Sequence, residues 1–131
     1  MIPCFWDVEP AYEAVAAWLD EGMIPTAFVC MNDRIAMGTY QALAGHGHRV
    51  PGDVSIVSFD GSELASWLRP ALTSVCIPYA ELGARAVHIL LDSEEPPAVR
   101  RLPMTVLHGE SVSAPKTGRH ATLPPARSDS T

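Results

Sequence analysis

The feature that most constrains the fold is a short apolar run, residues 27–31, that ends in the polar pair Asn32 and Asp33. Apolar residues at helical spacing follow at once, and glycines at positions 45 and 47 end that pattern. A strand that leads directly into a helix is the repeating unit of α/β proteins. Ligands of open α/β sheets bind where the strands end, so this segment predicts a polar site at its carboxyl end.

The same arrangement recurs along the chain. An apolar run at residues 54–59 ends in Asp60 and Gly61, so two strands are expected to direct polar side chains at one crevice. Periodicity and turn residues predict helices at 7–21, 33–45, 62–68 and 79–92, and strands at 27–31, 54–59, 74–77 and 102–108. This alternation indicates an α/β fold with a mainly parallel sheet flanked by helices.

The predicted sheet is small, with three or four short strands. Because a parallel sheet needs both faces covered, we expect that part of the domain is absent from this chain. From residue 111 onward, Ser, Thr, Pro and Ala dominate and no periodicity remains. We therefore assign residues 1–114 to a partial domain and residues 115–131 to a disordered tail.

The charge and the cysteine content of the chain argue against some functions and favour one cellular compartment. Residues 1–110 contain six Arg against six Asp and eight Glu, a net charge of −8, which argues against binding of a phosphate backbone by this chain alone. Three cysteines without framework spacing indicate reduced thiols and a cytoplasmic protein. Neither a signal peptide nor a membrane-length apolar run is recognisable.

Six short segments, in a fixed order, resemble the effector-binding domain of LacI/GalR-type transcriptional regulators. They are Pro-Thr-Ala at 25–27, Asn-Asp-Arg-Ile-Ala-Met-Gly at 32–38, Arg-Val-Pro-Gly-Asp-Val-Ser at 49–55, Phe-Asp at 59–60, Pro-Ala-Leu-Thr-Ser-Val at 70–75 and Leu-Gly-Ala-Arg-Ala-Val at 82–87. The resemblance covers roughly residues 5–115 and departs from the family at Ile77, where Gln is common.

The resemblance implies a periplasmic-binding-protein-like type I fold, of which this chain is mostly the second subdomain. In the family a ligand binds between two α/β subdomains, a helix-turn-helix domain binds DNA, and the second subdomain forms a homodimer. No first subdomain or DNA-binding domain is recognisable here. The helix at 79–92 would belong against that first subdomain, so its apolar face is expected to lack a partner. That face consists of Leu82, Ala86, Ile89 and Leu90.

The resemblance also assigns ligand contacts to Asn32, Asp60 and Trp6. An Asn amide both donates and accepts, a carboxylate accepts two sugar hydroxyls, and an aromatic ring can stack on the apolar face of a sugar. Structural alternatives stand beside each role: helix capping for Asn32, a turn for Asp60, and packing on its own helix for Trp6. For Asp33 we expect helix capping.

Three large side chains, Met37, Tyr40 and Trp67, are candidates for the dimer interface, with burial in the core as the alternative. His46 and His48 could suggest a metal ligand pair, but a solvated loop explains them better. Cys30 could be a nucleophile, yet a thiol inside an apolar strand is usually inert. We expect no catalytic site, no metal and no cofactor.

The leading hypothesis is a non-enzymatic domain that senses a small sugar-like effector and allosterically controls DNA binding by a domain missing here. One alternative is a periplasmic sugar-binding protein of a transporter. An α/β enzyme and a non-functional truncated regulator fragment are the others.

Overall fold

The computed structural model describes residues 1–91, 99 and 101–115. Helices and strands alternate along this part of the chain, as predicted. In order they are α1 (Val8–Asp20), β1 (Ala27–Val29), α2 (Asp33–Gly45), β2 (Ser55–Asp60), α3 (Glu63–Trp67), β3 (Thr73–Cys76), α4 (Tyr79–Leu91) and β4 (Thr105–Leu107). The last strand is shorter than the predicted 102–108, which fits its weak sequence alternation.

The strands form one sheet in the order β1-β2-β3-β4. Strand β2 is parallel to β1 on one side and to β3 on the other, while β4 is antiparallel to β3. This confirms the predicted mainly parallel sheet. It also means that the carboxyl ends of β1, β2 and β3 meet at one edge, which we call the carboxyl edge.

Helices α1 and α2 pack against each other and cover one face of the sheet. Val15, Leu19, Leu43 and Ile56 belong to the core between these layers. The helices approach so closely at Gly38 that a Cβ on this residue would lie 2.2 Å from the carbonyl oxygen of Val8. The small residue at position 38 is therefore a requirement of this helix pair.

Apolar side chains remain exposed elsewhere. No residue of α4 is buried, and Leu90 is 82% exposed. On the sheet, Val29 is also exposed, although parallel sheets normally bury both faces, and Met31 just after β1 is exposed as well. Within the described residues, the predicted apolar face of α4 is therefore exposed. No helix in this part of the chain is long and apolar enough to cross a membrane.

The segment after β4 packs against the sheet although its sequence has no periodicity. Ser111, inside the domain assigned to residues 1–114, is fully buried. Its hydroxyl donates to the Ile56 carbonyl (2.6 Å) and accepts from the Thr73 amide (2.8 Å), so it bridges β2 and β3. Ser113 continues this contact through the Ser55 hydroxyl. Residues 116–131, most of the predicted tail, lie outside the described residues.

Candidate functional site

Asn32 lies where β1 leads into α2, as the sequence predicts. It is the N-cap of α2, and its side-chain oxygen accepts from the Ile35 amide at 2.7 Å. The capping role expected of Asp33 is therefore wrong, because the residue before it has the extended backbone that a cap requires (φ −154°, ψ 171°). With its oxygen used by the helix, Asn32 has its amide N–H group to offer a ligand.

Asp33 instead connects three elements of the carboxyl edge. It is fully buried, and its Oδ1 accepts from the hydroxyls of Ser58 on β2 (2.5 Å) and Ser74 on β3 (2.7 Å). Its Oδ2 accepts from both the amide and the hydroxyl of Ser62 at the start of α3, each at 2.7 Å. These four hydrogen bonds, which we call the Asp33 network, satisfy both oxygens of a buried carboxylate.

Asp60 ends β2 in an uncommon backbone conformation, with a φ of 107°. Gly61 follows with a φ of 66°, and a Cβ there would lie 2.8 Å from Cys76 Cα. The turn is therefore tightly fitted against β3. Because the Asp33 network holds Ser58 and Ser62 on either side of it, Asp60 lies at the same edge as Asn32.

Tyr79 is a residue of this edge that the sequence analysis missed. Its hydroxyl donates to Asp60 Oδ1 at 2.9 Å, although the side chain is largely exposed. The hydrogen bond to this carboxylate raises the pKa of the Tyr79 hydroxyl. The rule that identified Asn32 and Asp60 also covers Tyr79, since it closely follows the end of β3.

Trp6 is 66% exposed and precedes α1. Its neighbour Asp7 caps α1 and binds Arg34 in the first turn of α2, with Arg34 Nη2 at 2.8 Å from Asp7 Oδ1. The Val8 amide and then Arg34 lower the pKa of Asp7. This ion pair brings the start of α1, and Trp6 with it, towards the carboxyl edge. The ring of Trp6 is largely exposed.

The candidates for the dimer interface differ in burial. Tyr40 is 9% exposed and belongs to the core, with its hydroxyl donating to the Pro70 carbonyl at 3.1 Å. Met37 is half-buried, and Trp67 is 66% exposed. Tyr40 is therefore a core residue within this chain. A contact between subunits would depend mainly on Trp67.

His46 and Cys30, which were considered above as a metal ligand and a nucleophile, have local structural contacts in the fold. His46 caps the carboxyl end of α2, with Nδ1 2.8 Å from the Ala42 carbonyl and Nε2 3.1 Å from Asp20 Oδ1. Cys30 is buried, and burial raises the pKa of its thiol to about 11, which keeps it protonated. The described residues contain no cluster of three or more His, Cys, Asp or Glu suited to a metal ion.

Two pockets are lined by residues other than Asn32 and Asp60. One, of about 580 Å³, is lined by residues around Cys4 and Phe5, and the other, of about 210 Å³, lies near Pro51 and Ser55. Neither of these two pockets is lined by a residue of the carboxyl edge described above. A ligand bound at the carboxyl edge would have one wall of its site built by the residues described above.

Comparisons with known proteins agree with this fold. Residues 3–112 match the family described as the periplasmic binding protein-like domain. The chain is 41% identical over 91 residues to the ribose operon repressor of Haemophilus influenzae, covering 70% of this chain and 27% of that protein. It is 31% identical over 115 residues to the lactose operon repressor of Escherichia coli, covering 86% and 32%.

Solved structures give the same result. The lac repressor dimer bound to operator and the anti-inducer ONPF matches with a TM-score of 0.76 and 30% identity, over 83% of this chain and 39% of that chain. A LacI family regulator from Enterococcus faecium with bound ribose matches with a TM-score of 0.73 and 28% identity, over 88% and 44%. The chain thus spans about a third or less of the length of these curated relatives. It belongs to the periplasmic binding protein-like domain family, in the form found in the effector-binding domain of LacI-family transcriptional regulators.

Proposed function

We propose that this chain is the ligand-sensing part of a LacI-type regulator and that a small sugar or polyol binds at its carboxyl edge. The observation that carries the proposal is the Asp33 network, which fixes Asn32 and Asp60 at the ends of neighbouring parallel strands. The bound ribose in the Enterococcus faecium neighbour supports a sugar-like ligand.

Each proposed contact follows from the chemistry of the side chain. Asp60 accepts hydrogen bonds from sugar hydroxyls, and an ionised acceptor makes such bonds stronger than a neutral one. Asn32 donates from its amide nitrogen, since its oxygen already caps α2. The exposed ring of Trp6 covers the apolar C–H face of the sugar. This set requires no metal or cofactor and performs no bond-breaking chemistry.

Regulation would follow from closure of the crevice around the effector. A ligand that binds the closed form more tightly shifts the population towards it, and this shift would change the arrangement of attached DNA-binding domains. We assign DNA contact to another part of the protein because residues 1–110 have a net charge of −8. In the intact regulator we expect a cytoplasmic homodimer, with Trp67 and Met37 near the subunit contact.

The test is titration of the purified chain with ribose and with lactose, followed by tryptophan fluorescence. The Asp60→Asn variant keeps the shape of the side chain and removes its charge, while Asn32→Asp keeps the capping oxygen and removes the amide donor. Loss of a hydrogen bond to a charged group costs about 1.5–3 kcal/mol, so Asp60→Asn should weaken binding about ten-fold or more.

Asp20→Asn is the matched control, because Asp20 is an exposed carboxylate at the end of α1. We expect it to bind both sugars like the unaltered chain. If Asp60→Asn and Asn32→Asp also bind like the unaltered chain, or if neither sugar binds, the proposed sugar site is refuted.

A further inference from the structure

We propose that Asp33 is a positioning residue: its network sets the conformation of the turn at residues 58–62 and thereby directs the Asp60 carboxylate into the crevice. The role assigned to the crevice rests on the proposed function, but the positioning of Asp60 can be tested without any ligand. Nothing in the comparisons assigns such a role to Asp33.

The hydrogen bonds of the Asp33 network hold the chain both before and after Asp60. Ser58, two residues before Asp60, donates to Asp33 Oδ1, and Ser62, two residues after it, donates twice to Oδ2. Ser74 adds a further connection, since its hydroxyl donates to Asp33 Oδ1 and accepts from the Gly61 amide at 3.0 Å. Every residue of the turn except Asp60 and Phe59 is therefore bonded to Asp33 directly or through Ser74.

The backbone of Asp60 shows why such fixing is needed. A φ of 107° is uncommon for a residue with a side chain, and such conformations persist only where the surrounding structure over-determines them. The buried carboxylate of Asp33, with donors from β2, α3 and β3, supplies that constraint. If the network loosens, the turn is expected to relax and Asp60 to change its direction.

A purely structural role is the competing explanation, because the network also joins β2 to β3. The chain offers a matched comparison in Ser111, another fully buried serine whose hydroxyl bridges these two strands. Ser111 bonds to Ile56 and Thr73 and has no bond to Asp33. Removing the hydroxyl of Ser111 or of Ser74 should lower the stability of the folded chain. Of these two changes, only loss of the Ser74 hydroxyl should move the Asp60 carboxylate.

Tyr79 reports the position of Asp60 in the unliganded chain. Its hydroxyl lies 2.9 Å from Asp60 Oδ1, and this contact is the main cause of its raised pKa. A pH titration of the tyrosines, followed by ultraviolet absorbance, therefore detects movement of the Asp60 carboxylate away from Tyr79. The Tyr79→Phe variant shows which step of the titration curve belongs to Tyr79. The Asp60→Asn variant gives the titration midpoint of Tyr79 when the negative charge at position 60 is absent.

The experiment compares Ser74→Ala and Ser62→Ala with Ser111→Ala. In each variant we measure the Tyr79 titration midpoint, the thermal unfolding temperature and the affinity for ribose. Ser74→Ala should lower the midpoint towards that of Asp60→Asn and weaken ribose binding about ten-fold. Ser62→Ala should change both in the same direction. Ser111→Ala should lower only the unfolding temperature.

The outcomes separate the two proposals. Unchanged Tyr79 midpoints in Ser74→Ala and Ser62→Ala would overturn the positioning role, whatever happens to stability. If Ser74→Ala does not fold, the exposed side chain of Ser62 provides the deciding variant. A lowered midpoint in a chain that never binds sugar would support the positioning of Asp60 and refute the proposed function alone.

Discussion

Replacing Gly38 with alanine should separate the two helices that carry Trp6 and Asn32 to the carboxyl edge. The new Cβ would lie 2.2 Å from the Val8 carbonyl oxygen, 2.8 Å from the Tyr12 amide nitrogen and 2.9 Å from Ala11 Cβ. Two of these atoms belong to the backbone of α1, so no side-chain rotation relieves the overlap. The helices must move apart by roughly 1 Å to restore ordinary van der Waals contact.

Overpacking of this kind costs about 1–3 kcal/mol, whereas glycine to alanine within a helix gains about 1 kcal/mol from propensity. Gly45 is the matched control because it ends the same helix and a Cβ there would meet nothing within 4 Å. By chemical denaturation we expect Gly38→Ala to be destabilised and Gly45→Ala to be unchanged or slightly stabilised. Equal stability of the two variants would refute the described packing of α1 on α2.

Three further predictions concern surfaces and titrating groups. Leu90→Glu on the exposed face of α4 should reduce self-association in sedimentation experiments, because an unpartnered apolar face favours association; unchanged behaviour would mean that the face is covered. The Ala42 carbonyl and then Asp20 raise the pKa of His46, so its contribution to stability is complete below pH 6.5 and is lost as pH rises through the folded-state pKa. The stability difference between the unaltered chain and His46→Gln should therefore shrink at high pH, and a difference that grows would contradict the assigned contacts. A thiol reagent at pH 8 should leave Cys30 unmodified in the folded chain, since the thiol is buried with a pKa of about 11; modification at the rate of the unfolded chain would contradict its burial.

Local sequence patterns predicted the elements and the carboxyl edge. The apolar run before Asn32 and the one before Asp60 were sufficient to place both residues at the ends of neighbouring strands. The exposure of the apolar face of α4 was also expected, since the family resemblance places this helix against the first subdomain. These features depend on spacing within a segment or on a motif, and both are visible in one sequence.

The Asp33 network was not predictable because it depends on contacts between distant segments. Ser58, Ser62 and Ser74 are individually ordinary polar residues, and only the strand register brings them to one carboxylate. Asp33 was expected to cap α2 because Asn and Asp are both common capping residues and the two are adjacent. A helix that begins one residue earlier or later would exchange their roles. The bridge formed by Ser111 was not predictable for a similar reason, since local composition does not reveal that a serine hydroxyl joins two strands.

The central claim is that a sugar binds at the carboxyl edge, and nuclear magnetic resonance tests it most directly. In a 15N-labelled chain, the indole N–H signals of the three tryptophans can be followed during titration with ribose. We expect the Trp6 indole and the backbone amides of Asn32, Asp60 and Gly61 to shift. The signal of the Trp18 indole should stay unchanged, because its half-buried ring packs edge-on against Phe28, with 5.9 Å between the ring centroids. Shifts confined to the pockets near Cys4 or Pro51, or no shifts at millimolar sugar, would contradict the account.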